Sequence, residues 1–123
     1  MKVLIVDDIP ANRTILEFVF KGFEGLDSID QAENGEEAYL MAESNVYDLI
    51  LMDLMMPIMD GVQAIEKIRN GSGVSKNSII LAVTASRDPE LHSRASLVGA
   101  NSIITKPFKK AELLELVRAL LSE

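Results

Sequence analysis

Leu49-Ile50-Leu51-Met52-Asp53 sets four aliphatic side chains in a row and closes them with an acid. A run that is apolar at every position has no face left for water. It suits a central strand of a parallel sheet covered by helices on both sides. Runs of the same kind stand at Val3-Leu4-Ile5-Val6, Ile79-Ile80-Leu81-Ala82-Val83 and Ile103-Ile104, and they are read the same way. A weaker stretch, Asp27 to Ala32, alternates around Ile29 and reads as an edge strand.

Helical patterns fill the spaces between the runs. Ile15, Leu16, Val19, Phe20 and Phe23 fall on one stripe, with Pro10 suited to the first turn. Asn34-Gly35 marks a turn before a helix from Glu36 to Ser44, whose acidic start favours the helix dipole. Val62, Ile65 and Ile68 form a third stripe, closed by Asn70-Gly71-Ser72-Gly73. Asp88-Pro89 reads as a cap and first-turn proline ahead of Leu91, Ala95 and Val98, and Leu113, Leu114, Val117, Leu120 and Leu121 line the last helix. Five strand–helix units joined by right-handed crossovers imply an α/β fold: a doubly wound, five-stranded parallel sheet with helices on both faces. One domain over residues 1–123 is expected, since no repeat or linker interrupts the pattern.

Composition excludes several chemistries. Nineteen acidic residues against 12 basic ones leave a net charge of −7, a poor match for a nucleic-acid backbone. There is no cysteine for a thiolate site, and the single histidine, His92, cannot build a His-rich zinc site and reads as solvated. The most apolar stretch, Leu49 to Met59, is broken by Asp53 and is far shorter than the ~20 residues that cross a bilayer. The opening residues run into Asp7-Asp8 without a small-residue cleavage site, so no signal peptide and a cytoplasmic location are expected. The six methionines read as packing, and Glu33, Glu36, Glu37 and Glu43 as a solvated acidic face.

The polar residues that close the apolar runs carry the chemistry. The first run ends in Asp7-Asp8, the third in Asp53, the fourth in Thr84 and the fifth in Thr105-Lys106-Pro107. In a parallel sheet all these ends emerge at one edge, and ligands bind there where the strand order reverses. In the order 2-1-3-4-5 that point lies between the first and third strands, which carry the three aspartates. Strands are ~4.8 Å apart, so Asp7, Asp8 and Asp53 come within a few ångströms of one another. Two carboxylates at ~5 Å and an effective dielectric of ~20 repel by about 3 kcal/mol. Either one acid holds a proton or a cation neutralises the group. Hard oxygen ligands favour Mg²⁺. With the Lys106 ammonium and the Thr84 hydroxyl beside it, Asp53 is placed as the nucleophile of a phosphoryl transfer and its product is an aspartyl phosphate.

Val6-Asp7-Asp8, Met52-Asp53-Leu54-Met55-Met56-Pro57-Ile58-Met59-Asp60-Gly61, Val83-Thr84-Ala85 and Thr105-Lys106-Pro107-Phe108 together resemble the receiver domain of two-component response regulators. The flavodoxin-like order 2-1-3-4-5 comes from this resemblance. It implies that Asp53 accepts phosphate from a sensor histidine kinase or a histidine phosphotransfer protein. Asp8, Asp53 and the backbone carbonyl of Met55 would bind Mg²⁺, with Asp7 helping through water. Thr84 and Lys106 would hold phosphoryl oxygens, and Thr84 would move toward the phosphate on activation. The Lys106–Pro107 bond would be cis. The face of the fourth helix, fifth strand and fifth helix would carry the signal to a downstream effector. Such a chain would be no turnover enzyme; it would catalyse only its own phosphorylation and slow self-dephosphorylation. Contact with nucleic acid and insertion into membranes are not expected.

One position departs from the pattern. Many receivers place a Tyr or Phe that swings inward where this chain has Ile103, so switching is expected to rest on the loop after Thr84 and on the fourth helix. Met55 and Ser86 stand where the family tunes access of the attacking water. Other functions fit less well. A phosphatase of the haloacid-dehalogenase type needs a second Asp two residues past the first, and that position is Met55. A dinucleotide-binding protein needs a glycine cradle in the first turn, which here reads Asp7-Asp8-Ile9-Pro10. A degenerate receiver acting only as an interaction module would lack some of the five side chains, and all five are present, though Ile103 keeps that reading open.

Overall fold

The computed structural model describes residues 1–122. Ten elements alternate along it: β1 (Lys2–Val6), α1 (Pro10–Phe20), β2 (Ser28–Ala32), α2 (Gly35–Ser44), β3 (Leu49–Asp53), α3 (Gly61–Asn70), β4 (Ile79–Thr84), α4 (Pro89–Val98), β5 (Ser102–Thr105) and α5 (Lys110–Leu121). The strands form one parallel sheet in the order β2-β1-β3-β4-β5.

Register turns the two-residue period of a strand into two separate cores. Leu4 pairs with Ile50, and Ile50 with Ile80, so equivalent side chains line up across the sheet. Leu4, Val6, Ile50, Met52, Ile80 and Ala82 face one way and pack with Ala38, Ala42, Val62, Ile65, Ile68 and Ala95 of α2, α3 and α4. Val3, Ile5, Leu49, Leu51, Leu81, Val83 and Ile104 face the other way, against Leu16, Val19 and Phe20 of α1 and Leu113 and Val117 of α5. The central strands are apolar throughout because each residue faces one of these two cores.

Some elements differ from their sequence reading. The Ile103-Ile104 run is an edge strand: β5 pairs only with β4, and α4 and α5 cover it well enough for an apolar edge to persist. In α1 the apolar stripe continues past the helix, which stops at Phe20. Phe23 reaches the core from the following turn, its ring 5.6 Å from that of Phe20. Ile15 is exposed, and the polar Arg13 takes the buried position on that stripe. α2 starts at Gly35, one residue before the expected boundary, capped by the Asn34 side chain accepting from Glu37 N. Asp88 caps α4 as expected, and Asp60 and Gln63 form a reciprocal capping box at α3.

Candidate functional site

The carboxyl ends of β1, β3, β4 and β5 bring together the residues singled out in the sequence. Asp7, Asp8 and Asp53 each offer a carboxylate oxygen, and the three lie within 4.8 Å of one another. Lys106 Nζ stands between two of them, 2.9 Å from Asp7 Oδ2 and 3.6 Å from Asp53 Oδ2. Asp7, Asp53 and Thr84 are buried, while Asp8 and Lys106 are partly open to the rim. The Lys106–Pro107 peptide is cis.

A single local device aims the oxygen-bearing side chains. Asp7 Oδ1 accepts from Ile9 N at 2.9 Å, Asp53 Oδ1 from Met55 N at 3.1 Å and Thr84 Oγ1 from Ser86 N at 3.1 Å. Each strand thus ends in a short polar side chain that turns back to bond the amide two residues on. The bond fixes a rotamer while leaving other lone pairs, and for Thr84 the hydroxyl proton, free for a ligand.

The electrostatics follow from crowding. Burial pushes the Asp53 carboxyl up to about 6, opposed by the Met55 amide and by Lys106, and reinforced by Asp7. It therefore remains mostly ionised at neutral pH. Three carboxylates and one ammonium leave two negative charges in a confined space, which a divalent cation matches. The donor atoms are hard oxygens with no nitrogen or sulfur among them, suited to Mg²⁺ or Ca²⁺. The residues present therefore fit a magnesium ion. Met55, expected to contribute its carbonyl, directs its amide to Asp53 and leaves its side chain exposed.

Sequence reasoning missed two supports of the site. Arg13 is buried on α1; its Nη1 donates to the Asp7 carbonyl at 2.7 Å and its Nε to Gln31 Oε1 at 3.0 Å. It bolts β1's exit to α1 and β2, and a lone arginine on an otherwise apolar helical stripe was the available signal. Gly61 is the second. A Cβ there would lie 2.1 Å from the Asp53 carbonyl oxygen, so α3 starts hard against the end of β3 only because position 61 has no side chain. His92, read as solvated, is half-buried instead, with Nε2 2.7 Å from the carbonyl oxygen of Ser86.

Comparison with known proteins gives a consistent result. The family model described as the response regulator receiver domain matches residues 3–118. The chain is 38% identical over 120 residues to the two-component response regulator ARR22 of Arabidopsis thaliana, covering 95% of this chain and 81% of that one. It is 38% identical over 122 residues, 98% of its length, to the transcriptional regulatory protein SrrA of Staphylococcus aureus, but spans only 47% of that protein. The receiver domain of the sensor histidine kinase PA1611 from Pseudomonas aeruginosa PAO1, whose structure holds a magnesium ion coordinated in the active site cleft, superposes with a TM-score of 0.88. It is 30% identical, with 99% of this chain and 98% of that one covered.

Proposed function

The chain belongs to the response regulator receiver domain family of two-component systems, and on that premise we propose that Asp53 is its phosphoacceptor. The single observation that carries the proposal is Lys106 Nζ poised between Asp7 and Asp53 in a three-carboxylate cluster. The phosphoryl donor is a phosphohistidine on a sensor kinase or a phosphotransfer protein. An ionised Asp53 oxygen attacks its phosphorus, the oxygen–phosphorus bond forms as the phosphorus–nitrogen bond breaks, and the imidazole leaves with the donor. The Lys106 ammonium and the Thr84 hydroxyl meet the phosphoryl oxygens. Asp8, Asp53 and the Met55 carbonyl, with Asp7 acting through water, would hold Mg²⁺, which when bound neutralises the charge gathered there.

The chain in this reading is a switch and not a turnover enzyme: it promotes its own phosphorylation and a slow loss of phosphate. Output passes through the α4, β5 and α5 face to an effector protein or effector domain, in the cytoplasm and without contact to nucleic acid or membrane by this chain. Among the described residues no helix is long and apolar enough to cross a membrane. Incubation with acetyl phosphate and Mg²⁺, with intact mass as the readout, tests the chemistry. Uptake of one phosphate by the parent and none by Asp53→Asn is the expected outcome, and equal uptake by both would refute it.

A further inference from the structure

Helix α4 is held in an uneven way. Ala95 is its only fully buried residue, and Leu97 is the most exposed of the large apolar side chains among the described residues. Its carboxyl end is fastened to the body of the fold: Arg69 of α3 donates from Nε to the Gly99 carbonyl at 3.0 Å and from Nη2 to Asn101 Oδ1 at 2.8 Å, and Asn101 N donates to the Ile80 carbonyl at 2.8 Å. Its amino end is fastened to the loop that leaves Thr84. Ser86 N donates to Thr84 Oγ1 at 3.1 Å, Asp88 N donates to Ser86 Oγ at 3.2 Å, and His92 Nε2 lies 2.7 Å from the Ser86 carbonyl oxygen. A carbonyl only accepts, so Nε2 carries the proton and donates.

We propose that His92 is the positioning residue that couples Thr84 to α4 through Ser86. The inference rests on the reading of Asp53 as phosphoacceptor. A phosphoryl group on Asp53 adds acceptor oxygens at the same sheet edge at which β4 ends in the Thr84 hydroxyl. Turning that hydroxyl toward the phosphate stretches or breaks its 3.1 Å bond with Ser86 N. Ser86 then shifts, and its carbonyl pulls on the imidazole one turn into α4. The carboxyl end, clamped by Arg69, acts as the pivot. Ile103 packs against the same core as α4 but has no ring to change places, so the polar chain Thr84–Ser86–His92 takes the part that a swinging aromatic could otherwise play.

The test pairs two measurements on the parent, His92→Ala and His92→Gln. Phosphate uptake from acetyl phosphate with Mg²⁺ is read by intact mass, and amide spectra are recorded with and without beryllofluoride and Mg²⁺. Alanine is a strong helix former at this half-buried surface position, and glutamine keeps an N–H donor of similar reach. All three proteins should take up phosphate. The loaded-minus-free shifts along α4 should fall by more than about half in His92→Ala and return in His92→Gln, while shifts around Asp53 persist in both. Phosphate uptake with a parent-like α4 response in His92→Ala overturns the coupling alone. No uptake by the parent overturns the phosphoacceptor reading and the coupling with it.

Discussion

At the residue scale, Asp53 shows how a buried carboxylate costs stability. Its carboxyl titrates near 6 in the folded chain and near 3.8 when unfolded, so the native state holds the ionised form at a loss. Removing that charge with Asp53→Asn should stabilise the protein at pH 7 by about 1–2 kcal/mol, after allowance for solvent at the open rim. The advantage should shrink as pH falls through 6, where the parent's native state takes up its proton first, and vanish below about 4, where both states are protonated. Urea unfolding of both proteins across that range checks the sign; a gap that widens on acidification would contradict it. Met55 poses a different question. Its side chain is exposed two residues past Asp53, and its amide bonds the Asp53 carboxylate. A smaller polar side chain should admit water more readily, so Met55→Asn should lose phosphate faster than the parent in a pulse–chase measurement.

At the element scale, the junction of β3 with α3 is the tightest point near the site. Gly61→Ala places a Cβ against backbone atoms of Asp53 and Leu54, which have no flexible end to yield. Thermal and urea melts should show a loss of about 2–4 kcal/mol, with phosphate uptake impaired because the Asp53 carbonyl must shift. The strands themselves were legible because burial on both faces writes itself as an unbroken apolar run. Helix ends were less so: the stripe Leu16, Val19, Phe20 and Phe23 keeps its period through a point where the backbone has already left the helix, at Gly22 with φ of +83. Arg13 went unread and His92 was taken as solvated, because the Asp7 and Ser86 carbonyls that hold them are main-chain atoms. Backbone acceptors leave no mark in a string of side chains. The aspartates, Thr84 and Lys106 were legible for the opposite reason, since each interrupts or closes an apolar run.

At the scale of the whole molecule, the two excess negative charges at the rim should link folding to divalent cations. Mg²⁺ at about 100 times its dissociation constant should add roughly 2.7 kcal/mol to stability, because the unfolded chain scatters its ligands. A rise in Tm with Mg²⁺ that is largely abolished in Asp8→Ala, measured by scanning calorimetry, is the expected result. Stability is also distributed unequally among the layers. α1 and α5 bury Leu16, Val19, Phe20, Leu113 and Val117 in one core, whereas α4 fully buries only Ala95, with Leu91 and Val98 partly covered. A helix held by one fully buried side chain, two partly buried ones and hydrogen bonds at its two ends should open locally at less than the global unfolding free energy. Its amide protons should therefore trade with deuterium well before those of its neighbours. Brief excursions of this kind make the helix a segment that a binding partner can reshape without disturbing the sheet beneath.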